Sequence, residues 1–374
     1  MDFVFTAEHD ALRAATRDLL QRHAPEAEVR ATMQTENGYD PALWHRMAGE
    51  IGLQGLIVPE TLGGSGADFI DLGVVMEELG RALYCGPFLS SVVLAATALT
   101  AAGDETAART HLPALCAGSL LATVADDRLL GGRDLPLPAA TPDAGAARIT
   151  GRAAFVLDGH IADLIVVSAR HGDETGLYLV DARVPGTTAT PRPTMDLTRK
   201  IATVEFRDAP ARRLGQPGNA RRVLTRVGDL AAIALAAEQA GSAHQVLDIT
   251  VEYARTRTQF GRTIGSFQAV KHRCADMSVD VESARSAAYN GIWTAASEPD
   301  DTQLGIAASI AHCYCSEAFT RAAASCIQVH GGIGFTWEHS AHLYYRRAKS
   351  AELLFGHPAQ HRRRLATLLG LTAA

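Results

Sequence analysis

Three things are scarce in this 374-residue sequence, and each scarcity closes off a class of function. Basic residues do not outnumber acidic ones: 35 Lys plus Arg stand against 41 Asp plus Glu, a formal charge of −6. A chain so balanced carries no electrostatic footprint for nucleic acid or for an anionic membrane surface. Cysteine is sparse, present only as Cys85, Cys116, Cys274, Cys313, Cys315 and Cys326. That is too few for a disulfide scaffold, and the Cys313/Cys315 spacing is not the gap of a metal knuckle, so the thiols read as mostly buried. Long apolar runs are missing too: no segment approaches about eighteen uncharged apolar residues, the least a membrane span needs. The opening MDFVFTAEHDALRAATRDLL carries acids where a secretion signal would be basic and then apolar. These absences predict a cytoplasmic protein.

What is present is ordinary globular material, 47% hydrophobic and 20% charged, long enough for two or three domains at roughly 100 to 200 residues each. The hydrophobic period changes twice. Over residues 1–118, AEHDALRAATRDLLQRHA and DFIDLGVVMEELGRAL repeat apolar positions at three and four residues, the helical signal, with GLIVPETLGGSGAD as a loop between them. Over 119–220, LLATVADD, ARITGRAAFVLDG, ADLIVVSAR, GLYLVDA and IATVEFRDA are short β-branched runs that predict a small antiparallel barrel or sandwich. GGRDLPLPAATPDAG reads as loop, since Pro136 and Pro138 cannot complete a ladder. From 221 to 374 helices return. VGDLAAIALAAEQAGSAHQVLDITVEYARTRTQF is Ala-rich and apolar on most sides, so it needs partners on several faces, which a four-helix bundle with an oligomer seam supplies. The fold class is therefore α+β in the order helical, β, helical, without internal repeats or coiled-coil heptads.

Two segments of the last third carry a specific resemblance. YARTRTQFGRTIGSFQAVKHRCADM (253–277) matches an Arg-x-x-Phe-Gly run followed by Ile-x-x-Phe-Gln, and CIQVHGGIGFTWEHSAHLYYRRAKS (326–350) matches Gln-x-x-Gly-Gly-x-Gly. Together, at this spacing and within the three-part layout, they resemble the acyl-CoA dehydrogenase family, flavoenzymes that form an α,β-double bond in acyl thioesters. The residue chemistry is compatible. Arg257 offers a planar fork of donors for a diphosphate, Phe260 an apolar surface for an adenine or ribose edge, and Gly261 a tight exit from the helix. Gln328 can pair with a ligand at a helix end, and Gly331, Gly332 and Gly334 let main-chain N–H groups approach phosphate oxygens. The resemblance implies that Arg257, Thr258, Phe260, Gly261, Ile264, Phe267, Gln268, Gln328, Val329, Gly331 and Gly332 bind the diphosphate and adenosine half of FAD belonging largely to a neighbouring subunit. An oligomer is implied, with an acyl-CoA substrate and an electron-transfer flavoprotein-like acceptor. HGGIGFTWEHSAHLYYRR and ELLFGHPAQHRR also resemble actinobacterial members acting on CoA thioesters of steroid, cholesterol-type side chains.

The match fails where the family holds its flavin ring and its base. A strand end that usually reads Thr-Glu-x-x-x-Gly-Ser-Asp is here ATVADDRLLGGRD (122–134), and Phe155 to Asp158 stand where Trp-x-Thr is expected. The base that takes the α-proton must be a carboxylate in a dry pocket. Its usual slot near the C-terminus holds Phe355, and the alternative slot on the long helix holds Ala231. Asp229, Glu238 and Glu352 are the nearest acids, but Asp229 can cap the helix and Glu352 can pair with Arg347 or Lys349. No catalytic residue is assigned. The asymmetry points to the non-catalytic subunit of a heteromeric acyl-CoA dehydrogenase, α2β2, whose paralogous partner supplies the flavin-ring pocket and the glutamate, with FAD shared across the interface. The competing readings are a homo-oligomeric enzyme with a relocated base such as Glu238, a flavin-free binding or scaffold protein on the same fold, and a family-related oxidase or monooxygenase. His330, His339 and His342 follow the glycine loop rather than a metal-ligand pattern, so no metal site is expected.

Overall fold

The computed structural model describes residues 4–130, 135–143, 146–297 and 300–371. Six helices come first: α1 Ala7–His23, α2 Glu26–Thr32, α3 Pro41–Arg46, α4 Phe69–Arg81, α5 Ala96–Ala101 and α6 Glu105–Cys116. Their starts are written in the sequence. Asp68 caps α4 by accepting from the Ile70 N–H at 2.6 Å, and Asp71 in turn accepts from the Asp68 N–H at 3.2 Å, the reciprocal satisfaction of free N–H groups that fixes a helix N-terminus. Thr6 and His9 do the same for α1.

Seven strands follow: β1 Ala122–Ala125, β2 Ala139–Asp143, β3 Ala146–Leu157, β4 Leu164–His171, β5 Glu174–Asp181, β6 Thr187–Arg192 and β7 Ile201–Leu214. The pairings β4–β2–β3–β7–β5 return to β4, so the sheet closes into a barrel, with β1 added at β4 and β6 at β7. Ile149, Val156, Ile165, Val167, Tyr178, Val180 and Phe206 fill it. Two expectations need correction. The barrel is not purely antiparallel, because β1 and β2 each run parallel to β4. The Pro-rich stretch is not all loop, because Ala139–Asp143 forms β2. Pro142 is tolerated there since β2 meets β4 only at Ala139, leaving Pro142 paired on one side, the edge condition under which proline fits a sheet. Residues 131–134, 144 and 145 of the predicted loop lie outside the described residues.

The chain ends in α7 Ala220–Thr256, a short hairpin of β8 Thr258–Gln259 and β9 Arg262–Thr263, then α8 Gln268–Ala296, α9 Asp301–His330, α10 Ala341–Ala351 and α11 Pro358–Leu368. Every residue of α7 from Asp229 to Ala243 is buried, as its all-round apolar character requires. α4 covers one side of it at backbone contact. A Cβ on Gly80 would lie 2.0 Å from the Glu238 carbonyl oxygen, and one on Gly241 would lie 1.9 Å from that of Glu77. Glycine is obligatory at both points of this crossing. The N-terminal helices, β1 and the bundle therefore share one core, while the barrel interior is a second. No helix is long and apolar enough to cross a membrane among the described residues.

Candidate functional site

The first predicted segment is a hairpin at the end of the longest helix. Phe260 and Gly261 form its two-residue turn, both with positive φ, 52° and 75°, the conformation that matches the twist of paired strands. Gly261 is thus the second turn residue, not the helix exit expected from the sequence. Arg257 makes that exit, its N–H bonding to the Tyr253 carbonyl. The turn lifts Phe260 into solvent, where it is 91% exposed. Ile264 begins a tight turn whose Gly265 packs on the Ala254 carbonyl, and Phe267 leads into α8. The face of the half-buried Phe267 ring is covered by the Arg262 guanidinium at 4.1 Å, a contact the motif reading missed, although a cation five residues before an aromatic was its available signal.

The second segment ends α9. Gln328 is exposed, Val329 half-buried and His330 buried. Gly331 (φ 63°) breaks the helix, and neither it nor Gly332 has any atom within 4 Å of where a Cβ would be. At 331 the backbone demands glycine; at 332 neither φ nor crowding does. Gly334 is different, buried against His330. The two segments meet through rings: Tyr253 of α7 stacks on His330 of α9 at 4.2 Å, and His330 lies 4.2 Å from His339. Sequence spacing gave no sign of this stack, which joins the last turns of two helices 77 positions apart by the numbering of Tyr253 and His330. The structure thus brings Arg257, Thr258, Phe260, Gly261, Ile264, Phe267 and Gln268 to the same end of the bundle as Gln328, Val329, Gly331 and Gly332. The side chains of Arg257, Gln268 and Gln328 are exposed, and none hydrogen-bonds or ion-pairs with another described residue. The Gly331 N–H is itself bonded to the Ile327 carbonyl, but an unpaired guanidinium and two free amides beside the open Gly332 suit a diphosphate and its nucleoside.

The middle domain is the opposite case. Past the end of β1, the carboxylate of Asp127 accepts from the N–H of Ala154 at 2.9 Å and of Phe155 at 2.7 Å. Asp126, also buried, is held by Arg128 through its Nε at 2.8 Å. Two acids stand where a hydroxyl was needed, and both are consumed within the chain. These residues do not fit a flavin ring.

Phe355, in the glutamate slot, is buried and has φ of 59°. His361 Nε2 donates to its carbonyl at 3.0 Å, and His312 Nε2 donates to that of Gly356 at 2.8 Å. Beside it opens a cleft of about 630 Å³ between the barrel and the bundle. The candidate bases are all engaged. Glu238 is fully buried and accepts from Arg199 Nη2 at 2.7 Å on both oxygens and from Arg347 Nη1 at 2.8 Å. Burial pushes its carboxyl up, but the two guanidinium groups outweigh this and hold it below the usual range. It faces a small internal cavity with Tyr84, not the cleft. Asp229 lies within α7 rather than capping it, and both its oxygens are taken by Arg364. Glu352 pairs with Lys349, as expected, and with His357, whereas Arg347 goes to Glu238 and Asp196.

Among the described residues the grouping of possible metal ligands is His9 with Asp68 and Asp71. His9 Nδ1 accepts the Thr6 N–H at 3.0 Å, which leaves the proton on Nε2, facing Asp71, so that nitrogen has no lone pair to give.

Comparison with known proteins agrees with this layout. Residues 6–119 match the model for the acyl-CoA dehydrogenase N-terminal domain and residues 222–369 that for the acyl-CoA dehydrogenase C-terminal domain. Acyl-CoA dehydrogenase IpdE2 of Mycolicibacterium smegmatis is 36% identical over 96% of this chain and 97% of its own length. One chain of the ChsE4-ChsE5 complex from Mycobacterium tuberculosis superposes with a TM-score of 0.90 at 31% identity, covering 100% of both chains. A chain of a variant of the Tcur3481-Tcur3483 steroid ACAD does so with a TM-score of 0.87 at 32% identity, covering 97% of this chain and 98% of that one.

Proposed function

The chain belongs to the acyl-CoA dehydrogenase family of FAD-dependent oxidoreductases, and we propose that within it the chain is the non-catalytic subunit of a heteromeric enzyme, α2β2. One observation carries this reading. Asp127 occupies the N–H groups of Ala154 and Phe155 at the chain's own ring site, while the side chains of Arg257 and Gln328 have no partner among the described residues and Gly332 stands in open space. The open set would grip the diphosphate and adenosine of a cofactor whose ring lies in a paralogous partner, and FAD bound there would accept the hydride of the dehydrogenation. Arg257 would hold phosphate oxygens, Gln328 and Gln268 would hydrogen-bond the nucleoside, and Phe260 would lie along its apolar edge. The partner would also supply the carboxylate that Phe355 replaces.

The substrate in this proposal is a CoA thioester of a steroid, cholesterol-type side chain, with an electron-transfer flavoprotein-like acceptor. The steroid assignment is supported by the Tcur3481-Tcur3483 protein, itself described as a steroid enzyme, and by the wording of residues 330–347 and 352–363. The heteromeric assignment is supported by the two-protein complexes that contain these structural relatives.

The test is the ratio of flavin to chain, measured by flavin absorbance and mass identification, for this chain expressed alone and with a paralogous partner. Flavin only in the mixed complex, at one per two chains, is the expected result. One tightly held flavin per chain in isolation overturns the proposal.

A further inference from the structure

A second cavity, of about 280 Å³, lies where α1, α2, α4, α7 and α10 meet. It shares no lining residue with the cleft beside Phe355, and none with the end of the bundle that bears Arg257 and Gln328. A ligand here is therefore independent of which subunit holds the flavin ring. An apolar cavity of about 150 Å³ takes up benzene, so this one has room for a body of about ten heavy atoms. Its mouth is marked by the exposed Gln21, Pro25 and Glu26, and its floor by the buried Leu20, Val29, Leu83, Ser340 and Leu343. Gln245 and Ile249, one turn apart on α7 and half-buried, form the wall between.

The charges in the walls already have their opposites. Glu78, only 2% exposed, accepts from Arg17 through Nε at 2.8 Å and Nη2 at 2.6 Å. Arg81 pairs with Asp248 at 2.6 Å, and Glu26 with Arg30 at 2.7 Å. Tyr344 donates its hydroxyl to the Arg81 carbonyl at 2.6 Å. Ser340 is the exception. It is 7% exposed and stands at the N-cap of α10, yet its hydroxyl makes no cap bond there and has no other partner among the described residues. Buried polar groups are costly unless they are hydrogen-bonded, and the cavity that Ser340 lines is where a partner fits.

The group that meets Ser340 must be uncharged. An anion in this cavity would face Glu78 and Glu26, a cation would face Arg17 and Arg81, and neither would find a free counter-ion in the walls. The apolar floor requires the remainder of the ligand to be hydrocarbon.

We infer that this cavity binds a small uncharged amphiphile, an aliphatic alcohol or ketone of about ten heavy atoms. Its oxygen hydrogen-bonds the Ser340 hydroxyl, and its chain lies along Leu20, Val29, Leu83, Leu343 and Ile249.

Calorimetric titration of the full chain, alone or in its complex, with 1-octanol, octanoate and octylamine tests this. 1-Octanol is expected to saturate one site per chain. Each charged probe should bind at least about tenfold more weakly, the effect of bringing an unpaired charge against closed ion pairs. Ser340→Ala should weaken 1-octanol by about three- to tenfold, the loss of one neutral hydrogen bond, without lowering the melting temperature, since the side chain caps nothing. Ile249→Phe should abolish binding by filling the cavity. Binding that survives Ile249→Phe in a chain of unchanged melting temperature places the probe elsewhere and overturns the site. Equal binding of a charged probe, indifference to Ser340→Ala, or no saturation by 1-octanol overturns it as well.

Discussion

The N–H of Phe355 donates to the carbonyl of Leu129 at 2.7 Å, joining the turn before α11 to the segment that follows β1, the two places where the sequence departs from the family pattern it otherwise resembles. The two departures are therefore held together in one structure. The backbone of Phe355 keeps a left-handed conformation, φ 59°, which costs a bulky residue about 1–2 kcal/mol. Its hydrogen bond to Leu129 and that of His361 to its carbonyl hold it there.

This strain predicts an inverted order of substitutions at 355. Phe355→Ala should cost about 3 kcal/mol for the lost buried ring, and Phe355→Gly should cost roughly 1 kcal/mol less, although glycine ordinarily destabilises relative to alanine. Urea unfolding midpoints measure the order. Phe355→Glu should restore no dehydrogenation to the chain alone with added FAD, because Asp127 still occupies the amides of the ring site.

Glu238 is predicted to be a structural residue. Glu238→Gln leaves Arg199 buried beside a neutral group and Arg347 with Asp196 as its remaining anion, a loss of about 3–5 kcal/mol. Thermal unfolding should register it fully. Turnover per intact complex, measured below the melting transition, should stay within about twofold of the unaltered enzyme, since a change of about 0.4 kcal/mol in barrier is roughly that factor.

Within the assembled enzyme, Arg257→Ala should speed flavin loss by about tenfold or more, the effect of removing a charge-assisted hydrogen bond. Arg257→Lys should recover only part of it, because an ammonium lacks the fork that meets a diphosphate in two places. Gly332→Ala offers the cleaner comparison. It has open space and needs no unusual backbone, so the melting temperature should hold while flavin retention falls.

His312 makes the fold sensitive to acid. Burial drives its imidazole down to about 3, with His361 and His357 adding to the effect, and its Nδ1 is buried without a partner among the described residues. Its folded pKa thus lies below the unfolded value of 6.5. Above the unfolded value both states are neutral and nothing is lost. As pH falls below it, the unfolded chain takes up a proton that the folded chain refuses, and stability declines by up to about 1.4 kcal/mol per pH unit until the folded pKa is reached. His312→Gln, which keeps a donor for the Gly356 carbonyl, should flatten that slope when melting temperature is followed from about pH 7 to pH 4.

Much of this was legible in the sequence, for physical reasons. The change of period marked the helical and β regions, and the Arg257 and Gln328 motifs stand out because little in the fold itself explains them. What could not be read were relationships made by the tertiary fold. β2 and β6 escaped because Pro142 and Pro191 argue against strands unless one knows that each lies where only one neighbour pairs with it. Glu238 looked available because a one-dimensional reading cannot see Arg199 and Arg347 converge from 39 positions before it and 109 after it. The hairpin turn at Phe260 was hidden because a phenylalanine at positive φ is locally unfavourable.

The crossing of α4 and α7 at Gly80 and Gly241 has a consequence for how the chain is made. The barrel lies between these two helices in sequence, so Phe69, Leu72, Val75, Met76 and Leu79, all buried in α4, leave the ribosome well before the helix that covers them. Contacts so distant along the chain form late, and the apolar surface awaiting them is the surface that aggregates or recruits chaperones. The barrel, with its own separate core, can close in the interval. The first helices to be synthesised are then completed only after the middle of the chain, and truncation anywhere before Gly241 leaves them without their covering helix.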